Sequence, residues 1–193
     1  MPASAPAEQR RARVLAALER YELPLVRFAR RLLGDEHAAQ DVVQYTFLRL
    51  CEQPTGDVEG HLAQWLFTVC RNKALDWLRA RRWSRRAASS GVSQCPSHQP
   101  DPAALAEQHD LYQRLSGLVD QLPRAQREAV SLWAEGLGYR EIAGVLNTTE
   151  GNVRVLMHRA LKRLREDPVV RQWAHPKPEE AAPATHAVRE IRR

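Results

Sequence analysis

Residues 138–166 read GYREIAGVLNTTEGNVRVLMHRALKRLRE, and the fold turns on how this stretch is parsed. Tyr139 to Leu146 sets Ile142, Ala143 and Leu146 on one side at helical spacing. Asn147 enters the left-handed region more readily than other residues with a β-carbon, so it can end that helix as a glycine would. Thr148, Thr149 and Asn152 then supply a start for a second helix. At about 100° per residue, Val153, Leu156, Met157, Ala160, Leu161 and Leu164 share its apolar face. The opposite face holds Gly151, Val155, His158, Arg159 and Lys162, with Arg154 and Arg165 at its edges. Acids stand only at the ends, Glu150 and Glu166, and Glu150 suits the positive end of the helix dipole. A short helix, a three-residue break and a longer basic helix form the arrangement that seats a helix in the DNA major groove.

The chain has 193 residues and a net charge of +6, with 29 basic residues of which 26 are Arg, and its isoelectric point is near 9.7. That balance favours a polyanionic partner. Cys51, Cys70 and Cys95 are an odd number at unrelated spacings, which fits no metal site and points to a reducing compartment. No apolar run approaches the roughly 18 residues that span a bilayer. The N-terminus, MPASAPAEQRRARV, has no apolar signal core, so a cytoplasmic protein is expected.

Working outward, strand signals are nearly absent and the expected fold is all-α, with two small helical domains joined by a flexible linker. The first domain covers about residues 7–86. Val14, Leu15, Leu18, Tyr21, Leu25, Phe28, Ala29 and Leu32 give its opening helix or helix pair, with a break expected at Pro24. Gly34 closes that stretch and Asp35 can cap the next helix, which carries Val42, Val43, Phe47 and Leu50. A third helix is expected from His61 to about Arg82. Residues 87–102 read as the linker, in a Ser-, Pro- and Gln-rich stretch that departs from the preceding pattern at Ser84. The second domain, residues 103–166, should hold four helical segments, one opening at Pro123 and stopping at Gly136, the last two being the helix-turn-helix. Four prolines and mixed charge predict disorder over 167–193.

A second basic cluster lies in the first domain. RNKALDWLRARRWSRR, residues 71–86, holds seven basic residues and one acid, with Trp77 and Trp83 among them. Cations neutralise phosphates, and an aromatic face stacks on an unpaired base of any identity. Tryptophans at helical spacing also pack in cores. Trp65 and Trp77 are expected there, while Trp83 is open to either use.

Both domains resemble one family, the bacterial RNA polymerase sigma factors of the sigma-70 class, in their small extracytoplasmic-function (ECF) group. ARRLLGDEHAAQDVVQYTFLRL, HLAQWLFTVCRNKALDWLRARR and LPRAQREAVSLWAEGLGYREIAGVLNTTEGNVRVLMHRALKRLRE carry the resemblance, in that order. It implies that Asp41, Val43, Gln44, Phe47 and Leu48 meet the clamp of the largest subunit of core RNA polymerase. It implies that Asp57, His61, Gln64, Asn72, Lys73, Arg79, Arg81, Arg82 and Trp83 meet the melted strand, and that Arg154, Val155, His158, Arg159 and Lys162 meet the upstream duplex. Tyr45 stands where such proteins usually carry an acid, and Leu156 where a basic residue is common. The partners implied are core polymerase and promoter DNA, duplex and single-stranded, with a dedicated anti-sigma factor left open. No catalytic residue, metal ligand set or cofactor is expected. The competing reading is a free-standing helix-turn-helix regulator, which leaves the 71–86 cluster and the Gln44 helix without a use.

Overall fold

The computed structural model describes residues 5–54, 58, 60–87, 114–167 and 170. All regular structure among them is helical: α1 (Ala5–Leu33), α2 (Glu36–Glu52), α3 (Leu62–Ala87), α4 (114–120), α5 (Arg124–Ala134), α6 (Tyr139–Leu146) and α7 (Glu150–Glu166). Helices α1, α2 and α3 pack on one another, as do α5, α6 and α7, and α3 also packs along α6, so the two units share one hydrophobic core.

The expected break at Pro24 is absent, and α1 runs through it for 29 residues. Proline forfeits one backbone hydrogen bond, at a cost of about 3 kcal/mol. Burial on both sides of it offsets that loss: Ala17 precedes, Leu25, Phe28 and Ala29 follow, and none is more than 2% exposed. Phe28 meets Phe67 of α3 edge-on, with ring centroids 5.4 Å apart. Such an aromatic pair contributes about 1 kcal/mol beyond its buried area. Asp35 caps α2 as expected, its carboxylate accepting from the Ala38 N–H at 3.0 Å.

Arg13 of α1 closes the other end of α2, donating to the carbonyls of Leu50, Gln53 and Pro54. The chain then passes the buried Val58 and turns into α3 through Gly60, whose φ of +85° suits a residue without a side chain. Helix α3 continues to Ala87, past the expected end near Arg82 and into the stretch read as changing character at Ser84. Asp57, the segment 88–102 and residues 103–113 lie outside the described residues, as does the tail beyond 167 except Val170, which is buried.

In the second unit, Leu132, Ile142, Val145, Val153 and Met157 are buried to 2% exposure or less. Each stabilises by about 2 kcal/mol on burial. Asn147 adopts φ 52°, ψ 56° and ends α6 as its sequence implies. Thr149 caps α7, its hydroxyl accepting from the Asn152 N–H at 3.2 Å. Helix α5 begins just after Pro123, and the chain leaves it through Gly136.

Candidate nucleic-acid and polymerase interfaces

Helix α7 sorts its residues by burial as the 3.6-residue period requires. Val153, Met157, Ala160 and Leu164 are buried, with Leu156 and Leu161 half-buried against the unit. Arg154, Val155, His158, Arg159 and Lys162 are all exposed and form one stripe along two turns. Val155 is an apolar residue 44% exposed in the middle of that stripe, where a solvated helix would gain nothing from it. An apolar contact of this size suits a thymine methyl in the major groove. Arg154 is ion-paired to Glu150, and its guanidinium lies 5.7 Å from the centroid of the Tyr139 ring.

Helix α3 has three working sides. Leu66, Phe67, Cys70 and Ala74 face the core of the first unit. Counting 100° per residue, His61, Asn72, Arg79 and Trp83 fall within about 40° of one another and run about 33 Å along the helix. All four are exposed, and Trp83 is 76% exposed, so the core use of this residue does not hold. Trp65 and Trp77 are half-buried against the core, as expected. This ridge joins donors and an open aromatic face, the pairing that captures unstacked bases.

Three of the expected strand contacts are elsewhere on α3. Lys73 sits on the flank toward α2, its ammonium 4.4 Å from the centroid of the Tyr45 ring. Arg81 lies 4.9 Å over Trp77 on the core side. Gln64 faces the second unit, where its carboxamide occupies the space a side chain at Gly144 would need. Arg79 is paired to Asp76 at 2.6 Å, and Arg82 is exposed at the edge of the ridge.

On α2, Asp41, Gln44 and Leu48 are exposed, while Val43 and Phe47 are buried in their own unit. Gln44, Leu48, Val43 and Phe47 nevertheless line an open groove of about 630 Å³ between α1 and α2, together with Val14, Leu18, Leu23 and Val26. Leu23 and Leu48 are 69% and 57% exposed. Asp41 is not among the lining residues. A largely apolar groove with exposed leucines and polar groups such as Gln44 and Glu22 has the character of a protein-contact surface.

One set of contacts escaped sequence reasoning. Glu128 of α5 is 2% exposed and lies between two arginines, Arg71 Nε at 2.7 Å and Arg124 Nε at 2.6 Å. Arg27 of α1 donates from Nε to Glu135 at 3.0 Å. With Gln64 on Gly144, these tie the two units together. The signal available was an acid on the same helical face as Leu132, with Arg124 one turn before it. Its second partner lies 57 residues away in sequence.

No helix among the described residues is long and apolar enough to cross a membrane, and no group of metal-ligating side chains is found among them. Burial pushes the Cys70 thiol up to about 12, a hydrogen bond with Thr46 opposing the shift.

A family model for sigma-70 region 2 matches residues 17–84, and one for sigma-70, region 4 matches residues 112–164. The ECF RNA polymerase sigma factor SigE of Mycolicibacterium smegmatis is 34% identical over 142 residues, covering 72% of this chain and 55% of that protein. SigL of Mycobacterium tuberculosis, also an ECF RNA polymerase sigma factor, is 32% identical over 154 residues, covering 78% of this chain and 85% of the relative. Among solved structures, the sigma factor RpoE of Bartonella quintana in complex with the anti-sigma factor NepR superposes with a TM-score of 0.61 at 26% identity, covering 86% of this chain and 96% of that one. CnrH in complex with the cytosolic domain of CnrY gives 0.55 at 25% identity, covering 78% and 84%. Two region models matched in order, and an identity of 32% across most of SigL, settle the family: the chain belongs to the ECF RNA polymerase sigma factors of the sigma-70 class.

Proposed function

We propose that this protein is a dissociable specificity subunit of bacterial core RNA polymerase that recognises a two-element promoter and drives its opening. The observation that carries this reading is the separation of surfaces. The α7 stripe suits duplex DNA, the α3 ridge suits unpaired bases, and the α1–α2 groove suits a protein partner. The α7 stripe docks in the upstream element, and the His61–Asn72–Arg79–Trp83 ridge holds bases of the melted strand. The groove rimmed by Gln44 and Leu48 receives the polymerase clamp.

Two weak DNA contacts on one chain reinforce each other through effective concentration, which gives two short elements at a set spacing. Opening is driven by affinity for unpaired bases and uses no nucleotide hydrolysis. The protein acts in the cytoplasm, where polymerase is. RpoE and CnrH are seen with NepR and CnrY, and a regulator of the anti-sigma class is a partner to expect here also.

The test is copurification of the tagged protein with core polymerase, followed by transcription of genomic fragments and mapping of start sites. Stoichiometric binding and discrete new starts are expected. Failure to bind a competent core enzyme, with tight binding to a palindromic site instead, would assign the protein to free-standing regulators.

A further inference from the structure

Three cations assigned to the DNA surfaces are seated on aromatic rings of this chain: Lys73 on Tyr45, Arg81 on Trp77 and Arg154 on Tyr139. Arg79 is held differently, by the carboxylate of Asp76, and Arg154 has the carboxylate of Glu150 as well as its ring. The two modes have opposite consequences for a phosphate. A carboxylate fixes a cation while cancelling its charge. A ring fixes it through its quadrupole and adds no net charge.

Lys73 is the clearest case. No carboxylate among the described residues lies within ion-pair distance of it, and its ammonium stands 4.4 Å from the Tyr45 centroid, bridging α3 to α2. Tyr45 is 37% exposed, so the seat is open to a polyanion. Lysine carries a point charge on a flexible four-carbon stem, and ordering that stem on binding costs affinity. Lys73 is also the immediate neighbour of Asn72 on the base-facing ridge, displaced toward the flank. A strand with its bases on the ridge would bring phosphates to that flank.

We propose that Tyr45 is a positioning residue that holds the Lys73 ammonium ready for a phosphate of the melted strand while leaving its charge whole. This rests on the assignment of Lys73 as a strand contact, and the experiment separates the two.

Holoenzyme is reconstituted with core polymerase, and opening is followed against salt concentration on a promoter mapped as above, in duplex form. Lys73→Ala should slow opening and lower the salt slope by about 0.7, the share of one phosphate on a single strand. Tyr45→Leu should slow opening about 2–5-fold, the worth of an exposed cation–π contact, with the salt slope kept because the charge remains. Tyr45→Phe retains the ring and should open as the natural protein does. Tyr45→Glu should lower the slope as Lys73→Ala does, since the ammonium is then held but neutralised.

If Lys73→Ala opens at the natural rate, the assignment of Lys73 fails and the proposal with it. If Lys73→Ala is slow but Tyr45→Leu is not, Tyr45 alone loses its role. Equal loss in Tyr45→Phe and Tyr45→Leu would point to the hydroxyl and overturn the ring argument. Affinity for core polymerase is measured in parallel. Weakened core binding with normal opening at saturation would place Tyr45 on the polymerase surface instead and overturn the proposal.

Discussion

Arg71 of α3 and Glu128 of α5 meet at 2.7 Å across the boundary between the two helical units. Glu128 is 2% exposed, and its other oxygen is taken by Arg124 of its own helix. The Arg27–Glu135 pair, the Gln64 carboxamide and the packing of α3 along α6 also join the units, so the ionic part of this boundary is salt-sensitive. Gln64 cannot serve a DNA strand while it lies on Gly144.

Replacing Glu128 with Ala should therefore loosen the closed arrangement. Two arginines lose their shared acid, and because both are partly solvated the cost is about 2 kcal/mol, below that of a fully buried pair. Spin labels at Cys51 and at Arg163→Cys, with Cys95→Ser, would measure it. A narrow distance distribution is expected for the parent and a broad one for Glu128→Ala. Equal distributions would mean that this ion pair does not hold the units together.

Gly144 offers a steric test of the same boundary. A β-carbon there overlaps the end of the Gln64 side chain, which is flexible and can swing away. Gly144→Ala should weaken closure by about 1 kcal/mol without unfolding α6, where alanine is the better helix former. Combining it with Gln64→Ala should restore the narrow distance distribution. Additive loss in the double variant would show that the two residues do not meet.

These contacts mark where sequence reasoning stopped. The caps at Asp35 and Thr149, the left-handed Asn147 and the α7 stripe are local, set by residues within one or two turns, and were legible. The exposed ridge of α3 was legible as composition, but its membership was not. Gln64, Lys73 and Arg81 lie in the same segment as Asn72, yet a neighbouring helix or ring claims each of them. Pro24 erred the other way, because its penalty is local while the burial that outweighs it comes from α2 and α3. The pairing of Arg71 with Glu128 depends on how two units dock, which no periodicity encodes.

The α7 stripe gives a prediction for duplex binding. Arg159→Ala should weaken binding to the upstream element and lower the salt slope by about 0.9, the share of one duplex phosphate. Val155→Ser should instead change preference at one base pair, with the slope kept. Core polymerase binding should be unchanged in both, because no residue of α7 lines the α1–α2 groove. A parallel loss of core affinity would show that the helix serves the polymerase.

Cys51 and Cys70 should differ sharply in reactivity. Cys51 is exposed, whereas Cys70 is fully buried with its thiol pushed up to about 12. The thiolate is the reactive form, so in a Cys95→Ser protein at pH 8 a disulfide reagent should modify one thiol quickly and a second only in denaturant. The raised value also has a stability consequence. Below the ordinary value of 9.0 Cys70 is protonated whether folded or not, and its burial carries no pH dependence. Between 9.0 and about 12 the unfolded chain loses the proton first, so stability falls as pH rises. Melting temperature between pH 8 and pH 10 should fall more steeply in the parent than in Cys70→Ala. Equal slopes would place the pH dependence in other groups.

Strand opening tests the α3 ridge itself. Trp83 exposes 76% of its surface at the open end of the ridge, and Asn72 lies three turns before it on the same side. Stacking of one base on an aromatic face stabilises by about 1–3 kcal/mol, so Trp83→Ala should slow opening of a duplex promoter about tenfold. Asn72→Ala removes an amide able to pair with a base edge and should slow opening less, because water can replace part of the lost bond. On a promoter pre-melted by mismatches, Trp83→Ala should recover part of its rate, since the strand no longer has to be captured as it unpairs. Full-rate opening of the duplex by both variants would remove the ridge from the opening step. An equal defect on duplex and pre-melted DNA would place the two residues at a later step.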